Sequence, residues 1–563
     1  MEIRAGVGDM RHKQLWRLSA FALIVMAVLG GVALAKGGFY LGMHEGDAIH
    51  LAEIVLRMAD GQWPHLDFMT PLGVLSAAPI ALFVHLGFGI GHAILLAQVL
   101  VAALLAPFAI AVAWRRLDGW LAYGFVGYVL LLCLALVHGG DSASPSISMH
   151  YNRWAWAIAY VVLLQVLIAP RGRAPGAAEG VATGLGLAAL ALIKMTYFVT
   201  FAPVVLVGLI ARRWWRVLAV ALFAGLAVVV VVTLLAGTVF WRAYLSDLVV
   251  VVLSATRERP GDAFADILGG SGYLAANLAL IGVVILLRKA GHMTEGLLLF
   301  LLYVPFAYVV FQNYGNDQQW IVLAFLSLVA LWPPDAAERM FGLRQAQWAL
   351  VAAGVLAGAG YASVQSLVTS PFRHLALSTA DMRPLIGLPG QDDLYASRSR
   401  MVATRANVAL DGPEWRVASL AETDSGTEEE DAPTTLPGGE VLDDCTLQGG
   451  FITWLAAAAG DLERSGFAGK RVVAADIYGP FWLYGDLAPV PRAAPWYYGR
   501  LPGLKSADYV LVPQCPVSSK ARRKFLQEMD KAGWSGHEVR RTPLYILMEM
   551  SASVSDGNAR DAK

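Results

Sequence analysis

Apolar residues fill the first two thirds of the chain in blocks of roughly 20, the length that crosses a bilayer as one helix. Eleven such blocks begin near Trp16, His92, Trp120, Trp154, Val181, Tyr197, Val217, Tyr273, Met293, Gln319 and Gln347. A further apolar stretch at 73–87 is short and interrupted by Pro79 and His85. The bias of basic residues toward cytoplasmic loops assigns it. If 73–87 lies along the outer surface, one side receives Arg4, Arg11, Lys13 and Arg17, Arg115 and Arg116, Arg171 and Arg173, Arg212, Arg213 and Arg216, Arg288 and Lys289, and Arg339 and Arg344. Counting it as a span turns nearly all of them outward. The pattern therefore predicts about eleven spans and a juxtamembrane helix at 73–87. The N-terminus is then cytoplasmic. The loops at 37–91, 139–153, near Lys194, 238–272 and 312–318, and the tail, are outside. Ala33-Leu34-Ala35 resembles a signal-peptide cleavage site, but the apolar run before it is long for one.

The periodicity changes after residue 364. A polar stretch at 370–423, the acids Glu428, Glu429, Glu430 and Asp431, and a Pro/Gly segment up to Gly439 read as a linker. Beyond it the pattern predicts a helix at 451–464, a strand at 471–475, a strand at 509–512, a helix at 519–532 and a strand at 544–548. The expected organisation is a polytopic all-α membrane domain at 1–364 and a polar or partly disordered linker at 365–440. A small soluble α/β domain at 441–550 and a disordered tail at 551–563 follow.

Composition agrees with this division. Hydrophobic residues make up 57% and charged residues 15% of the 563, against about 25% charged in ordinary soluble chains. Residues 1–364 hold 22 basic and 18 acidic side chains, whereas 365–563 hold 21 and 25. The formal net charge is zero, which gives no reason to expect a nucleic acid partner. Cys133 lies in an apolar block. Cys445 and Cys515 lie in the tail, which permits one bridge if the tail is outside the cytoplasm.

The chemistry concentrates in the outer loops. The first reads His44-Glu45-Gly46-Asp47, then a helical stretch to Asp60, then Gly61-Gln62-Trp63-Pro64-His65-Leu66-Asp67-Phe68, closed by Pro71-Leu72. Two carboxylates two residues apart suit a general base for a hydroxyl or a pair of ligands for a divalent cation such as Mg or Mn. The plainer reading is a solvated loop with Asp47 capping the helix. Lys194 sits between two apolar helices and Arg153 at the mouth of another; both suit a phosphate, and both could instead snorkel at helix ends. The run 312–319 is dense in amides and includes Asn316 and Asp317, which suit sugar hydroxyls or a plain turn. Arg257 and Arg259 are weaker phosphate candidates. His44, His50 and His65 match no tight metal-ligand spacing, and His85, His92 and His138 read as structural.

The order of one span, an outer E-x-D, a surface helix and then G-x-x-P-x-x-D-F-x-x-P-L resembles the GT-C fold of integral membrane glycosyltransferases, the group with the protein mannosyltransferases and aminoarabinose transferases. The resemblance covers roughly residues 15–360. It implies a transferase that moves a sugar from a polyprenyl-phosphate donor to a glycan, lipid or protein acceptor outside the cytoplasm, in a bacterial inner membrane. It implies Asp47 as the catalytic acid of the first loop, acting as a base with inversion, and Glu45 as its companion. Lys194 and Arg153 would hold the donor phosphate. Asp67, His65, Tyr151, Asn152, Asn316 and Asp317 are the remaining candidates for substrate contacts. The chain departs from the mannosyltransferases at Thr70-Pro71, where two prolines are common, and at His65, where an aromatic residue commonly follows the first proline. Other classes remain open at this stage: a ligase or polymerase of lipid-linked glycans, a lipid or solute transporter, and an assembly scaffold without enzymatic activity.

Overall fold

A computed structural model of the protein describes residues 2–139, 142–256, 264–269, 271–314, 318–332, 339–401, 433–442, 446–447 and 450–552. The first part is helical: α1 (Glu2–Leu34), α2 (Glu45–Ala59), α3 (Ala78–His85), α4 (Ile90–Arg116), α5 (Gly119–Leu134), α6 (His150–Leu167), α7 (Ala177–Ile193), α8 (Met195–Ala211), α9 (Trp215–Ala236), α10 (Val239–Val252), α11 (Phe264–Gly269), α12 (Ser271–Lys289), α13 (Met293–Gln312), α14 (Trp320–Ala330) and α15 (Gln345–Ala376). Every predicted span coincides with one of these helices. Five of them, α1 over Lys13–Leu34, α4, α9, α13 and α15, are long and apolar enough to cross a membrane. The apolar helices α5, α7, α8 and α14 are shorter.

Apolar residues that face outward mark the lipid-facing surface. On α9, Phe223, Leu226, Leu234 and Leu235 are 75%, 62%, 80% and 68% exposed, which no water-soluble helix tolerates as a continuous face. Its other side meets α7 closely: a side chain at Gly180 or Gly184 would strike the Val217 or Ala221 carbonyl of α9. Small residues replace the missing hydrophobic drive between helices by letting backbones approach. Helix α3 has eight residues, about 12 Å at 1.5 Å each, far short of the roughly 30 Å hydrocarbon layer.

The bundle has two chemically distinct ends. At one end Arg115 pairs with Glu179 and Arg171 with Asp118. There Arg212 Nη2 lies 2.8 Å from Glu295 Oε1. Arg116 Nε donates to the Ile168 carbonyl at 3.0 Å and Arg212 Nε to that of Val166 at 2.9 Å. These cations neutralise the carbonyl end of α6, where a helix carries partial negative charge. The opposite end gathers the 37–91 loop, the 135–149 segment, Lys194 and the chain after α15.

That returning chain is folded. Helix α15 runs on to Ala376, and a sheet ordered β1-β5-β4 joins β1 (Phe39–Leu41), β4 (Met382–Pro384) and β5 (Leu394–Ser397), with β1 and β5 parallel. The short strands β2 (Arg339–Met340) and β3 (Leu343–Arg344) form a separate hairpin, and α16 (Arg398–Met401) follows β5. Asp393 accepts from the backbone N–H groups of Gly91 and His92 at 2.8 and 2.9 Å, closing the N-terminus of α4. A linker expected over 365–440 is thus structured up to residue 401, because its polar groups find partners on the bundle. Residues 402–432 lie outside the described residues.

The C-terminal domain is a mixed four-stranded sheet ordered β6-β7-β9-β8, built from β6 (Val472–Ala474), β7 (Tyr509–Pro513), β8 (Trp534–Arg541) and β9 (Tyr545–Ala552). Alternation fixes its faces. Val472, Ala474, Leu511 and Leu547 meet α17 (Phe451–Leu462) through Trp454, Leu455 and Leu462. Val473, Val510, Val512, Ile546 and Met548 meet α18 (Ser519–Lys531) through Phe525, Leu526 and Met529. The sequence pattern anticipated all but β8, an edge strand whose residues are mostly polar. Cys515 is disulfide-bonded and Cys133 is a buried free thiol, while Cys445 lies outside the described residues.

Candidate active site

Helix α2 starts at Glu45, so Glu45 and Asp47 occupy its first turn. His44, before it, adopts φ 63° and makes no side-chain cap. Asp47 does not cap the helix. Its Oδ2 accepts a hydrogen bond from the hydroxyl of Ser148, on the segment that enters α6. Ser148 Oγ is also 3.1 Å from His138 Nδ1. His44 Nδ1 lies 3.0 Å from Ser146 Oγ, and the rings of His44 and His138 are 4.8 Å apart. Met149, which precedes α6, is at φ 52°. Two non-glycine residues in the left-handed region therefore flank the Asp47–Ser148 contact. Such strain, of order 1–3 kcal/mol each, concentrates at functional sites.

Burial pushes the Asp47 carboxyl above the usual carboxylate range, and the Ser148 hydrogen bond and His44 oppose that shift. Burial lowers His138 to about 4. It also lowers His44. Both imidazoles are therefore neutral at neutral pH, beside a buried acid.

The C-terminal domain roofs this acid. A side chain at Gly46 would come within 2.8 Å of the Tyr478 hydroxyl, so the middle of the E-x-D motif must be small. Tyr478 stacks on Phe451 with centroids 5.3 Å apart, and Trp496 lies edge-on to it at 4.8 Å. The His50 ring, one turn beyond Asp47, meets Trp496 at 5.5 Å. Burial, then the charge of Asp47, hold the Tyr478 phenol well above its ordinary value, so it stays neutral. Further along α2, Arg57 donates to Glu53 Oε1 at 2.8 Å and to the Val490 carbonyl at 3.2 Å, and Trp482 Nε1 donates to Glu53 at 3.3 Å. Two backbone bonds complete the seam: Arg492 N–H to the Asp67 carbonyl at 2.6 Å, and Met69 N–H to that of Ala493 at 2.9 Å.

Lys194 is the single residue that joins α7 to α8. Its Nζ donates to Asn152 Oδ1 at 3.0 Å and Asn313 Oδ1 at 2.6 Å, and lies 5.3 Å from the Tyr151 ring centroid. Asn313 in turn donates to the Tyr197 hydroxyl at 3.1 Å. These amides orient the ammonium. Asp47 touches Ser148 and Lys194 touches Asn152. Four residue steps hold the Cα atoms of Ser148 and Asn152 within about 14 Å of each other.

The other sequence candidates have different surroundings. Arg153 is fully buried and donates to the Ala135 and Val137 carbonyls beyond α5. Two of its guanidinium nitrogens are thus bound to backbone carbonyls in the protein interior, where the expectation placed a donor phosphate. His65 is buried against Asp247 at 2.8 Å and against Tyr244. Asp67 accepts from the Trp63 N–H at 2.7 Å and shapes the turn. Both therefore build the loop. Glu45 receives Arg400 at 2.8 and 3.2 Å. Among the described residues no three His, Cys, Asp or Glu side chains could hold a metal ion together; of the two carboxylates expected to share Mg or Mn, Glu45 is paired with Arg400 and Asp47 with Ser148. Asn316, Asp317, Arg257 and Arg259 lie outside the described residues.

Sequence reasoning missed Ser148, Tyr478, Arg400 and the role of Asn313, and read His138 as structural. Only Asn313 carried a signal, as part of the amide-rich run. No protein-family model, curated protein or solved structure matches the chain.

Proposed function

We propose that the protein is a membrane glycosyltransferase that moves a sugar from a polyprenyl-phosphate donor to a hydroxyl acceptor, a glycan, lipid or protein. The observation that carries this reading is the short 148–152 segment, which is hydrogen-bonded to Asp47 at one end and to Lys194 at the other. A base and a cation held by one short segment suit the two ends of one displacement.

In that reaction the acceptor oxygen forms a bond to the anomeric carbon while Asp47 removes its proton. The bond from the anomeric carbon to the phosphate oxygen breaks, and its electron pair leaves with the lipid phosphate. Lys194, oriented by Asn152 and Asn313, stabilises the negative charge that grows there. A lipid phosphate is a good leaving group, so no strong acid is needed. A single displacement inverts the anomeric centre.

The cluster of arginines at the opposite end of the bundle supports a cytoplasmic location for that end. It favours an N-terminus inside and a site and C-terminal domain outside an inner membrane crossed about eleven times. In vesicles supplied with radiolabelled polyprenyl-phosphate sugars and an envelope acceptor fraction, Asp47→Asn should reduce transfer by about 10²–10⁴-fold while the protein stays folded. Undiminished transfer by well-folded Asp47→Asn protein would remove the base and with it this reading.

A further inference from the structure

We propose that Ser148 and His138 are positioning residues for Asp47. A hydrogen-bond chain directed from His138 Nδ1 through the Ser148 hydroxyl to Asp47 Oδ2 fixes one carboxylate oxygen and reserves Oδ1 for the acceptor proton. This rests on Asp47 being the base of the proposed transfer.

The direction of the chain follows from counting protons. An ionised carboxylate only accepts, so in the Ser148–Asp47 contact the serine must donate. Its one hydroxyl proton is then committed. The 3.1 Å contact between Ser148 Oγ and His138 Nδ1 must run the other way, with the imidazole donating. The neutral histidine is thereby assigned the tautomer protonated at Nδ1.

The segment is built to hold this order. Ser146 Oγ accepts from the Ser148 N–H at 3.1 Å, and the Ser146 N–H donates to the Leu136 carbonyl at 2.8 Å. Ser148 itself is 1% exposed. Packed around Asp47 are His44, just before its helix, and Glu45 in the same first turn, with Arg400 on Glu45. His138 comes from the 135–149 segment, with Arg153 behind it, and Tyr478 comes from the C-terminal domain. Among the described residues only the Ser148 hydroxyl donates a hydrogen bond to the Asp47 carboxylate. Losing it should make the charged form harder to keep.

The test is an infrared titration of the full-length protein in lipid nanodiscs, following the protonated-carboxyl band that disappears in Asp47→Asn. No sugar is needed, so the result is independent of whether transfer has been detected. The expected midpoint in Ser148→Ala lies about one pH unit higher than in the unaltered protein, the effect of one charge-assisted hydrogen bond. His138→Ala should give a smaller rise. Ser148→Thr, which keeps the hydroxyl, and His138→Asn, which keeps a donor near the Nδ1 position, should restore the midpoint. The acid limb of the pH–rate profile for transfer should move in parallel. An unchanged midpoint in Ser148→Ala, or a Ser148→Thr protein that titrates like Ser148→Ala, would overturn the proposal. Full transfer by Asp47→Asn would instead overturn the proposed reaction, and the two failures are read from different measurements.

Discussion

Replacing Arg57 with methionine should loosen the C-terminal domain from the helix that carries Asp47. Arg57 is 2% exposed and Glu53 4%. The guanidinium donates to Glu53 Oε1 at 3.0 and 2.8 Å, to Gln62 Oε1 at 3.2 Å and to the Val490 carbonyl at 3.2 Å. Methionine keeps much of the packing against Phe68 and Trp482 but leaves the Glu53 carboxylate buried without its ion-pair partner. Breaking a buried pair in this way costs about 3–5 kcal/mol. Applied to the seam alone, 3 kcal/mol is about a hundredfold in its opening equilibrium. Hydrogen exchange reads that opening directly, because the amides of Met69 and Arg492 donate across the seam. Mass spectrometry of peptides covering 67–70 and 490–494 should show exchange about a hundredfold faster in Arg57→Met. The double variant with Glu53→Leu should recover most of the protection, since an apolar pair of similar volume costs little. Exchange within about threefold of the unaltered protein in the single variant would refute the view that this pair docks the domain.

Three further outcomes are expected. Lys194→Met should lower transfer by about a hundredfold, chiefly in kcat, because the cation acts on charge that develops during bond breaking; an effect confined to KM would assign Lys194 to ground-state binding. Arg400→Ala should change thermal stability by under about 1 kcal/mol, since this pair is partly exposed and screened, and a melt in nanodiscs checks it. Asp476 is buried, and burial pushes its carboxyl up to about 7 although it accepts from the Ile477, Val517 and Ser518 N–H groups. A raised acid contributes stability below its ordinary titration range and loses that contribution as pH rises toward 7. The C-terminal domain should therefore melt higher at pH 5 than at pH 8, and Asp476→Asn should flatten that dependence.

The helices were legible because their cause is local. A block of apolar residues specifies a helix in lipid whatever its neighbours, and alternation at 472–475 and 509–512 places residues on opposite faces of a sheet. Strand β8 was not legible because an edge strand with one solvated side needs no apolar alternation. The sheet β1-β5-β4 was not legible because its strands have only three or four residues and β1 pairs with β5 across more than 350 positions. The site divides similarly. Asp47, Lys194 and Asn152 stand out as polar groups beside apolar spans. Their partners Ser148, Asn313, Tyr478 and Arg400 are defined only by tertiary contact, and nothing local distinguishes Ser148 from Ser142 or Ser144. Arg153 misled because a basic residue at a helix start looks the same in sequence whether it points outward or folds in to bind carbonyls.

The parallel pairing of β1 with β5, together with Asp393 on α4, has a consequence for how the molecule is made. The ribosome delivers Asp47 early, but the strand that fixes the first loop emerges only after α15, and the aromatic roof later still. A nascent chain halted before residue 393 would have its helices and none of this closure. Assembly order thereby leaves the surroundings of Asp47 unformed until the chain beyond α15 has been made.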